Sequence, residues 1–216
     1  MPSKVFEFEQ STRTVALLDE TGRLVTVKAG GGTPRHIPTE GRIQTFARLT
    51  ESRLIAVNDG RLVTINLDTE SVTDVSCDLT SELTKLDEMF SRRHRSLVGG
   101  CHLLPLHEKS VVLAYRGLVI VLTLNVDGQG AKARRVLRME ESATSAVKLA
   151  RIDATRFALG TCDGIVRIVA NYEHEHEIVD AILMPGFEPP KDITVDDEGD
   201  SDGHVRLTIR TDYRVA

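Results

Sequence analysis

The chain has 216 residues, of which 41% are hydrophobic and 27% charged, so it can bury a core and keep a water-compatible surface. Its formal net charge of −5 is not the basic balance expected of a nucleic-acid binder. No apolar stretch approaches the ~20 residues that span a bilayer, and residues 1–9 lack the apolar core of a signal peptide.

The cysteines indicate the redox conditions of the compartment in which the chain works. Cys77, Cys101 and Cys162 are odd in number and widely spaced, and no two of them form a CxxC pair. This pattern does not predict a disulfide framework. It favours a reducing compartment, and we expect the chain to be cytoplasmic or nuclear.

A hairpin pattern recurs from one end of the chain to the other. Each copy has an apolar strand with a small residue, a tight turn with glycine, and a second strand rich in β-branched residues. Glycine suits the turn because a two-residue hairpin loop needs a positive φ. The turn glycines are Gly22, Gly60, Gly117, Gly164 and Gly203, and the small residues are Ala16, Ala56, Ala114 and Ala158. Their spacing is close to the ~40–50-residue period of propeller blades.

Further strands are predicted beside these hairpins. Arg42–Leu49 and Ala146–Ile152 alternate in polarity and precede hairpins, and Ser71–Val75 and Glu177–Leu183 follow them. Four strands in each repeat is the pattern of a propeller blade. The sequence therefore predicts one all-β domain over residues 1–216. Its four-stranded repeats number about five and cover roughly residues 4–40, 41–77, 97–140, 143–184 and 187–216.

The segment 78–95 separates the second and third repeats and does not read as a strand. Leu79, Leu83, Leu86 and Phe90 recur at the spacing of one helical face. Basic residues at its end, Arg92, Arg93 and Arg95 among them, suit the carboxyl end of a helix dipole. The pattern predicts an inserted amphipathic helix, which either covers a blade edge of its own domain or binds a partner.

The repeat resembles that of WD40-like β-propellers, and the resemblance covers nearly the whole chain. The Trp-Asp dipeptide of that family is absent because the chain has no tryptophan, and the one Gly-His pair, Gly203-His204, lies inside a hairpin. The resemblance is therefore to a divergent member. A β-sandwich or another meander is the alternative fold, since period alone separates these architectures poorly.

The number of blades leaves several arrangements open. Five repeats could close into a ring, form an open array, or be part of a larger propeller. Val5–Glu9 is a candidate outer strand that would close the ring on the last repeat. An open array would leave two sheet edges, which normally need a partner, so another chain could complete the propeller.

Two segments carry candidate metal ligands. His174 and His176 would share one face of a strand, but no third ligand is evident, and a solvated face is the simpler interpretation. The acidic segment Glu198–Gly203 resembles the first half of a calcium loop, and Asp196 and Asp197 could add ligands, but Arg206 and Ile209 stand where later ligands are needed. An exposed acidic hairpin tip is the simpler prediction, and as such a tip Asp196–Asp202 could meet a basic partner.

The resemblance implies a rigid interaction platform, since no catalytic motif is recognisable. We expect a non-catalytic protein–protein interaction scaffold subunit of an intracellular complex, without a cofactor and with other proteins as partners. The predicted contact residues are Leu79, Leu83, Leu86, Phe90, Arg92, Arg93, Arg95, Asp196, Asp197, Asp200 and Asp202. The alternatives are a propeller enzyme with a metal-assisted hydrolase site and a nucleic-acid-associated propeller that uses Arg92–Arg95 and Lys132–Arg138.

Overall fold

The chain forms antiparallel β-sheets in a computed structural model. The structure describes residues 7–10, 14–19, 21–28, 30–77, 101–115, 118–125, 130–138, 146–171, 176–196 and 205–211. Backbone contacts divide the chain into two compact units. The first comprises Met1–Arg95 with Thr123–Ala133, and the second comprises Ser96–Leu122 with Arg134–Ala216.

The first unit contains two four-stranded sheets whose strands are ordered as in the chain. The strands of the first sheet are β1 (Glu7–Gln10), β2 (Thr14–Leu18), β3 (Leu24–Lys28) and β4 (Arg35–His36). The strands of the second sheet are β5 (Ile43–Thr50), β6 (Arg53–Asn58), β7 (Arg61–Asn66) and β8 (Ser71–Asp74). Every neighbouring pair in both sheets is antiparallel.

The third sheet has five strands, and the boundary between the two units passes through it. Its strands are β9 (Ser76–Cys77), β10 (Cys101–His107), β11 (Ser110–Tyr115), β12 (Leu118–Leu124) and β13 (Gly130–Arg138). Their spatial order is β10-β11-β12-β13-β9. The short strand β9 is therefore an addition at the outer edge, where it pairs in parallel with the beginning of β13.

The fourth and fifth sheets belong to the second unit. The fourth sheet contains β14 (Ala146–Arg151), β15 (Arg156–Thr161), β16 (Ile165–Asn171) and β17 (His176–Leu183) in that order. The fifth sheet, as far as the described residues show it, is the hairpin of β18 (Asp192–Asp196) and β19 (Arg206–Arg210). The five sheets lie within the five predicted repeats, with β9 joining the sheet of the repeat after its own.

Local turn chemistry explains the hairpins. Asn58 faces Arg61 in the ladder, so Asp59 and Gly60 form a two-residue loop, and both have positive φ, at 44° and 77°. These are the angles of a type I′ turn, which matches the twist of the flanking strands. The predicted turn at Gly60 is thus confirmed. The predicted turns at Gly117 and Gly203 lie outside the described residues.

Alanine in the second strand of four sheets lets the sheets pack closely. Ala16, Ala56, Ala114 and Ala158 lie in β2, β6, β11 and β15, and none of the four is exposed to solvent. Each belongs to one of the apolar clusters between successive sheets of one unit. A small side chain allows two twisted sheets to approach without forcing the larger side chains beside it into strained rotamers. The small residue that these four repeats share is therefore a packing position between sheets.

The core of each unit lies between the sheets. In the first unit, Leu24 and Leu54 are completely buried in a cluster that joins the first two sheets. In the second unit, Phe157 is completely buried in a cluster with residues of the third sheet, such as Leu106. A separate cluster joins the fourth sheet to Ile193 of the fifth. Both faces of β15 are therefore buried, since Phe157 and Ala158 point to opposite sides of the same strand.

The interpretation of Val5–Glu9 as an outer strand of the last repeat is wrong. Glu7–Gln10 is the first strand of the first sheet, where Glu7 faces Leu18 and Gln10 faces Val15. Only a short connection separates β1 from β2, and strands that are close in sequence usually pair with each other. The predicted helix within residues 78–95 lies outside the described residues, which contain no α-helix.

Candidate functional site

Exposed apolar side chains are concentrated in one part of the second unit. Apart from Val205, every exposed large hydrophobic residue in the described part of the chain lies between positions 178 and 187. These residues are Ile178, Val179, Ile182, Leu183 and Phe187, and together we call them the apolar rim. The first four lie on β17, and Phe187 lies in the short 3₁₀ turn Pro185–Phe187 that follows it. Exposed apolar side chains grouped in this way are a candidate surface for binding another molecule.

Phe187 is the most exposed member of the rim, with 68% of its surface accessible to solvent. Its φ is 58°, in the left-handed region that a bulky side chain rarely adopts. Such a backbone conformation costs on the order of 1–3 kcal/mol and persists only where the surroundings impose it. The chain therefore holds an aromatic ring in water at the expense of backbone strain, which is typical of a functional position.

Contacts with the neighbouring hairpin hold this turn in place. Met184 donates a backbone hydrogen bond to the carbonyl oxygen of Gly164 (2.8 Å), and Phe187 donates one to the carbonyl oxygen of Met184 (3.1 Å). A Cβ atom placed on Gly164 would lie 2.6 Å from the carbonyl oxygen and 2.7 Å from the Cα of Phe187. The backbone of Phe187 thus packs against the face of Gly164 that has no side chain.

Polar contacts rigidify the hairpin that carries Gly164. The Thr161 hydroxyl donates to the Asp163 carboxylate and lies 2.8 Å from the carbonyl oxygen of Ile165. The Arg167 guanidinium donates to Thr161 Oγ1 (2.6 Å) and to Asp163 Oδ2 (3.2 Å). Partial burial raises the pKa of the Asp163 carboxyl, but the hydrogen bonds from Thr161 and Arg167 outweigh it and hold that pKa below its ordinary value. The ionised carboxylate therefore fixes the turn that supports Phe187.

Two acidic side chains adjoin the apolar rim. Asp180 is exposed in the middle of β17, and no ion pair of the described residues includes it. Glu188 follows Phe187 directly, and its Oε2 atom is buried without a hydrogen-bond partner. A desolvated carboxylate oxygen without a donor is unfavourable, so the Glu188 side chain carries a desolvation cost in the free chain. The local charge favours a partner with basic groups.

A second group of ionisable residues lies on three strands of the second unit, each of which is the first strand of its sheet. His102 lies on β10, Lys148 on β14 and Asp192 on β18. The Lys148 ammonium is 3.7 Å from Asp192 Oδ1. Burial of the His102 ring lowers its pKa below the ordinary value of 6.5, and the positive charge of Lys148 lowers it further. These groups are an ion pair beside a neutral imidazole, and the described residues contain no group of three metal-ligating side chains.

The shifted pKa of His102 makes a pH-dependent contribution to stability. The unfolded chain takes up the imidazole proton at the ordinary pKa of 6.5, and the folded chain takes it up only at lower pH. The free energy of unfolding should therefore fall as the pH falls below 6.5 towards the pKa of the folded state. NMR titration of the His102 ring should give a pKa below 6.5 and a higher value in Lys148→Met. A pKa at or above 6.5 in the native chain would contradict this arrangement.

The structure describes few of the sequence-predicted contact residues. Leu79, Leu83, Leu86, Phe90, Arg92, Arg93 and Arg95 lie outside the described residues, as do Asp197, Asp200 and Asp202. Asp196 is described at the end of β18, where it faces Arg206 and accepts a 3.3 Å hydrogen bond from the Thr208 hydroxyl. His174 is outside the described residues, and His176 begins β17. The basic segment Lys132–Arg138 lies within β13, where Lys132 is exposed.

The apolar rim was not predicted, although the sequence carries a partial signal for it. Ile178-Val179 and Ile182-Leu183 are adjacent apolar pairs, which break the alternation expected of a strand with one solvated face. Such pairs indicate apolar side chains on both faces. They do not indicate whether the faces are covered, because that depends on which strand stands at the sheet edge. The exposure of Phe187 has no sequence signal of this kind.

Comparison with known structures identifies the class of fold. The chain is similar to the β-propeller domain of Cps50 (Swd1) from Myceliophteria thermophila, with a TM-score of 0.63 and 12% identity over 96% of this chain and 65% of that one. It is also similar to the computationally designed protein Ika8, with a TM-score of 0.59 and 14% identity over 97% of this chain and 59% of that one. It is similar as well to PorZ, a surface component of the type-IX secretion system of Porphyromonas gingivalis. The TM-score is 0.60, with 13% identity over 96% of this chain and 27% of that one.

The chain therefore has a β-propeller fold, and the predicted resemblance to WD40-like propellers is confirmed at the level of the fold. It spans less than two-thirds of the length of each of these structures. No protein-family model and no curated protein matches the sequence. No helix among the described residues is long and apolar enough to cross a membrane.

Proposed function

We propose that this chain is a non-catalytic protein–protein interaction subunit of an intracellular complex. The observation that carries the proposal is the apolar rim, which presents five large hydrophobic side chains to solvent on one outer strand and the turn after it. Burial of such side chains contributes about 25 cal/mol per Å² of apolar surface removed from water. Leu183 and Phe187, the two most exposed members, are the anchors with the most to gain from a partner.

The rest of the chain suits a rigid support for this surface. The second unit buries Phe157 and Leu159 between its sheets, and side-chain hydrogen bonds lock the hairpin beside the rim. Rigid presentation of an aromatic anchor lowers the entropy lost on binding, because the turn that carries it does not need to be ordered by the partner. We take residues 1–216 to be one interaction domain, and three widely spaced cysteines favour a reducing compartment.

The experiment compares proteins captured by the native chain with those captured by the double variant Leu183→Ser, Phe187→Ser. Both side chains are exposed, so the variant should keep its circular dichroism and its free energy of unfolding within about 0.5 kcal/mol. We expect the specific partners of the native chain to fall at least about tenfold in abundance, as the loss of an aromatic anchor produces. Quantitative mass spectrometry of material captured from cells of the source organism measures this.

The control is the double variant His36→Ser, Gln44→Ser, which changes two exposed residues of the first unit. It should capture the same proteins as the native chain. The proposal fails if the rim variant, still folded, captures every partner at the native level. It also fails if the control variant loses the same partners, because binding would then depend on features other than the apolar rim.

A further inference from the structure

Strand β17 differs from the other outer strands in the side chains it exposes. β17 is the last strand of the fourth sheet, so no strand of the described residues pairs with its outer edge. The equivalent strand of the second sheet, β8, exposes Ser71 and Asp74, and Asp74 lies 3.7 Å from Arg61. Charged and polar side chains of this kind protect a sheet edge against pairing with another chain. The shared architecture of the repeats therefore does not require the apolar side chains on β17.

The apolar residues of β17 project from both faces of the sheet. Ile182 faces Val166 in the ladder, whereas Leu183 faces Ile165 and Ile178 faces Val169. Directly opposed residues lie on the same face, so Ile182 is on one face and Ile178 and Leu183 are on the other. A helix docked on the sheet would cover only one of these faces. An added strand places its side chains on both faces, so it covers all three residues.

The third sheet shows that an outer strand of this protein accepts an additional strand. Its four consecutive strands β10 to β13 correspond to β14 to β17 of the fourth sheet. The short strand β9 pairs with β13 there through Ser76 opposite Gly130 and Cys77 opposite Ala131. β13 and β17 are the last consecutive strands of their sheets, and β17 lacks such a partner among the described residues.

Asp180 supplies the charge preference of this edge. It is the one charged residue between Ile178 and Leu183, and its Oδ1 accepts a 2.8 Å hydrogen bond from the backbone N–H of Ala181. We propose that β17 binds an extended segment of a partner protein as a fifth strand, with apolar side chains on both faces and a lysine or arginine opposite Asp180. This proposal rests on the proposed function and adds that the partner binds through an extended segment.

On binding, the incoming strand supplies backbone hydrogen bonds along residues 180–183, beyond the irregularity in the β16–β17 ladder near Ile178. Its basic side chain pairs with the Asp180 carboxylate. Main-chain hydrogen bonds provide affinity in this mode of recognition, and alternate side chains provide specificity. In the unbound chain, the Asp180 carboxylate caps the Ala181 N–H and so protects one donor of the edge. The same side chain thus limits aggregation in the free protein and selects a basic partner.

The test is an NMR titration of the isotope-labelled full chain with synthetic decapeptides. The first peptide has two consecutive valines on each side of one central lysine and threonine elsewhere, so that valines lie on both faces of the strand. The second has glutamate in place of the lysine, and the third has a proline beside the lysine. We expect the lysine peptide to shift the amide signals of residues 178–183 and to bind about fivefold more tightly than the glutamate peptide. The proline peptide should bind far more weakly, since it lacks a backbone donor.

The variant Asp180→Lys should reverse the preference, so that the glutamate peptide binds more tightly. Its matched control is Asp74→Lys, the same charge change on the outer strand β8, which should leave the native preference unchanged. Equal binding of the lysine and glutamate peptides, or full binding of the proline peptide, would overturn the proposal. So would amide shifts confined to residues outside 178–187.

Three further outcomes separate this proposal from self-association through β17 and from the proposed function. If light scattering shows a native dimer that Ile182→Lys converts to a monomer, the edge is occupied by a second copy and the peptide proposal is overturned. If no peptide binds β17 while Leu183→Ser, Phe187→Ser still loses captured proteins, the strand-addition proposal fails and the proposed function stands. If the lysine peptide binds β17 but that double variant captures every partner, the proposed function fails instead.

Discussion

Replacing Phe157 with alanine should lower the free energy of unfolding by about 3–5 kcal/mol, among the largest effects expected of a single substitution in this chain. Phe157 is completely buried in the cluster between the third and fourth sheets, against residues such as Leu159 and Val169. The substitution removes the transfer free energy of the ring and leaves a cavity that surrounding strands can fill only in part. Urea denaturation followed by circular dichroism measures the change.

The matched control is Phe187→Ala, which removes the same side chain from a site that is 68% exposed. It should change the free energy of unfolding by less than about 0.5 kcal/mol, while it lowers partner capture. The two substitutions thus separate the structural aromatic residue from the one assigned to binding. A large loss of stability in Phe187→Ala would contradict the assignment, because the ring would then be part of a core.

Gly164→Ala should destabilise the second unit by about 3 kcal/mol, as the sum of two effects. A residue with a Cβ at φ 75° costs about 1–2 kcal/mol, and overpacking against a fixed neighbour costs a similar amount. Here the neighbour is the backbone of Phe187, which cannot rotate away as a side chain could. The same substitution should weaken partner binding, because it displaces the turn that presents Phe187. Thermal and urea denaturation, with capture of the partner, measure both effects.

Gly60→Ala is the control for the backbone effect alone. Gly60 has a φ of 77°, nearly that of Gly164, but a Cβ placed on it meets no atom within 4 Å. Its replacement should cost only the backbone effect of about 1–2 kcal/mol and leave partner binding unchanged. If the two glycine variants lose the same stability, the packing of Phe187 on Gly164 contributes nothing and the explanation for the fixed turn is wrong.

The sequence was sufficient to predict the sheets because their signals are local. The Asp59-Gly60 loop follows from turn chemistry, and the buried Ala16 and Ala158 follow from the small residue that each repeat places in its second strand. The period of these hairpins is close to that of propeller blades and favours the β-propeller fold, but it leaves a β-sandwich or another meander open. Each signal depends on residues that are close in the chain, so a single sequence contains it.

The candidate site could not be predicted in the same way, because it depends on pairing between distant segments. Whether Ile178 and Leu183 are covered depends on β17 having no outer neighbour, and residue type does not encode this. The positive φ of Phe187 depends on the contact with Gly164, which lies 23 positions earlier in the chain. Sequence reasoning instead favours Leu83 and Phe90 on helical spacing and Asp196–Asp202 on charge, and the role of all these residues in binding remains a prediction.

Hydrogen–deuterium exchange of the chain alone and in complex with a captured partner tests the central claim most directly. If the apolar rim is the binding surface, amide exchange should slow in residues 178–187 on complex formation and stay unchanged in β8, Ser71–Asp74. The reverse pattern, with residues 178–187 exchanging as in the free chain and protection confined to other segments, would contradict the claim that this outer strand and Phe187 bind the partner.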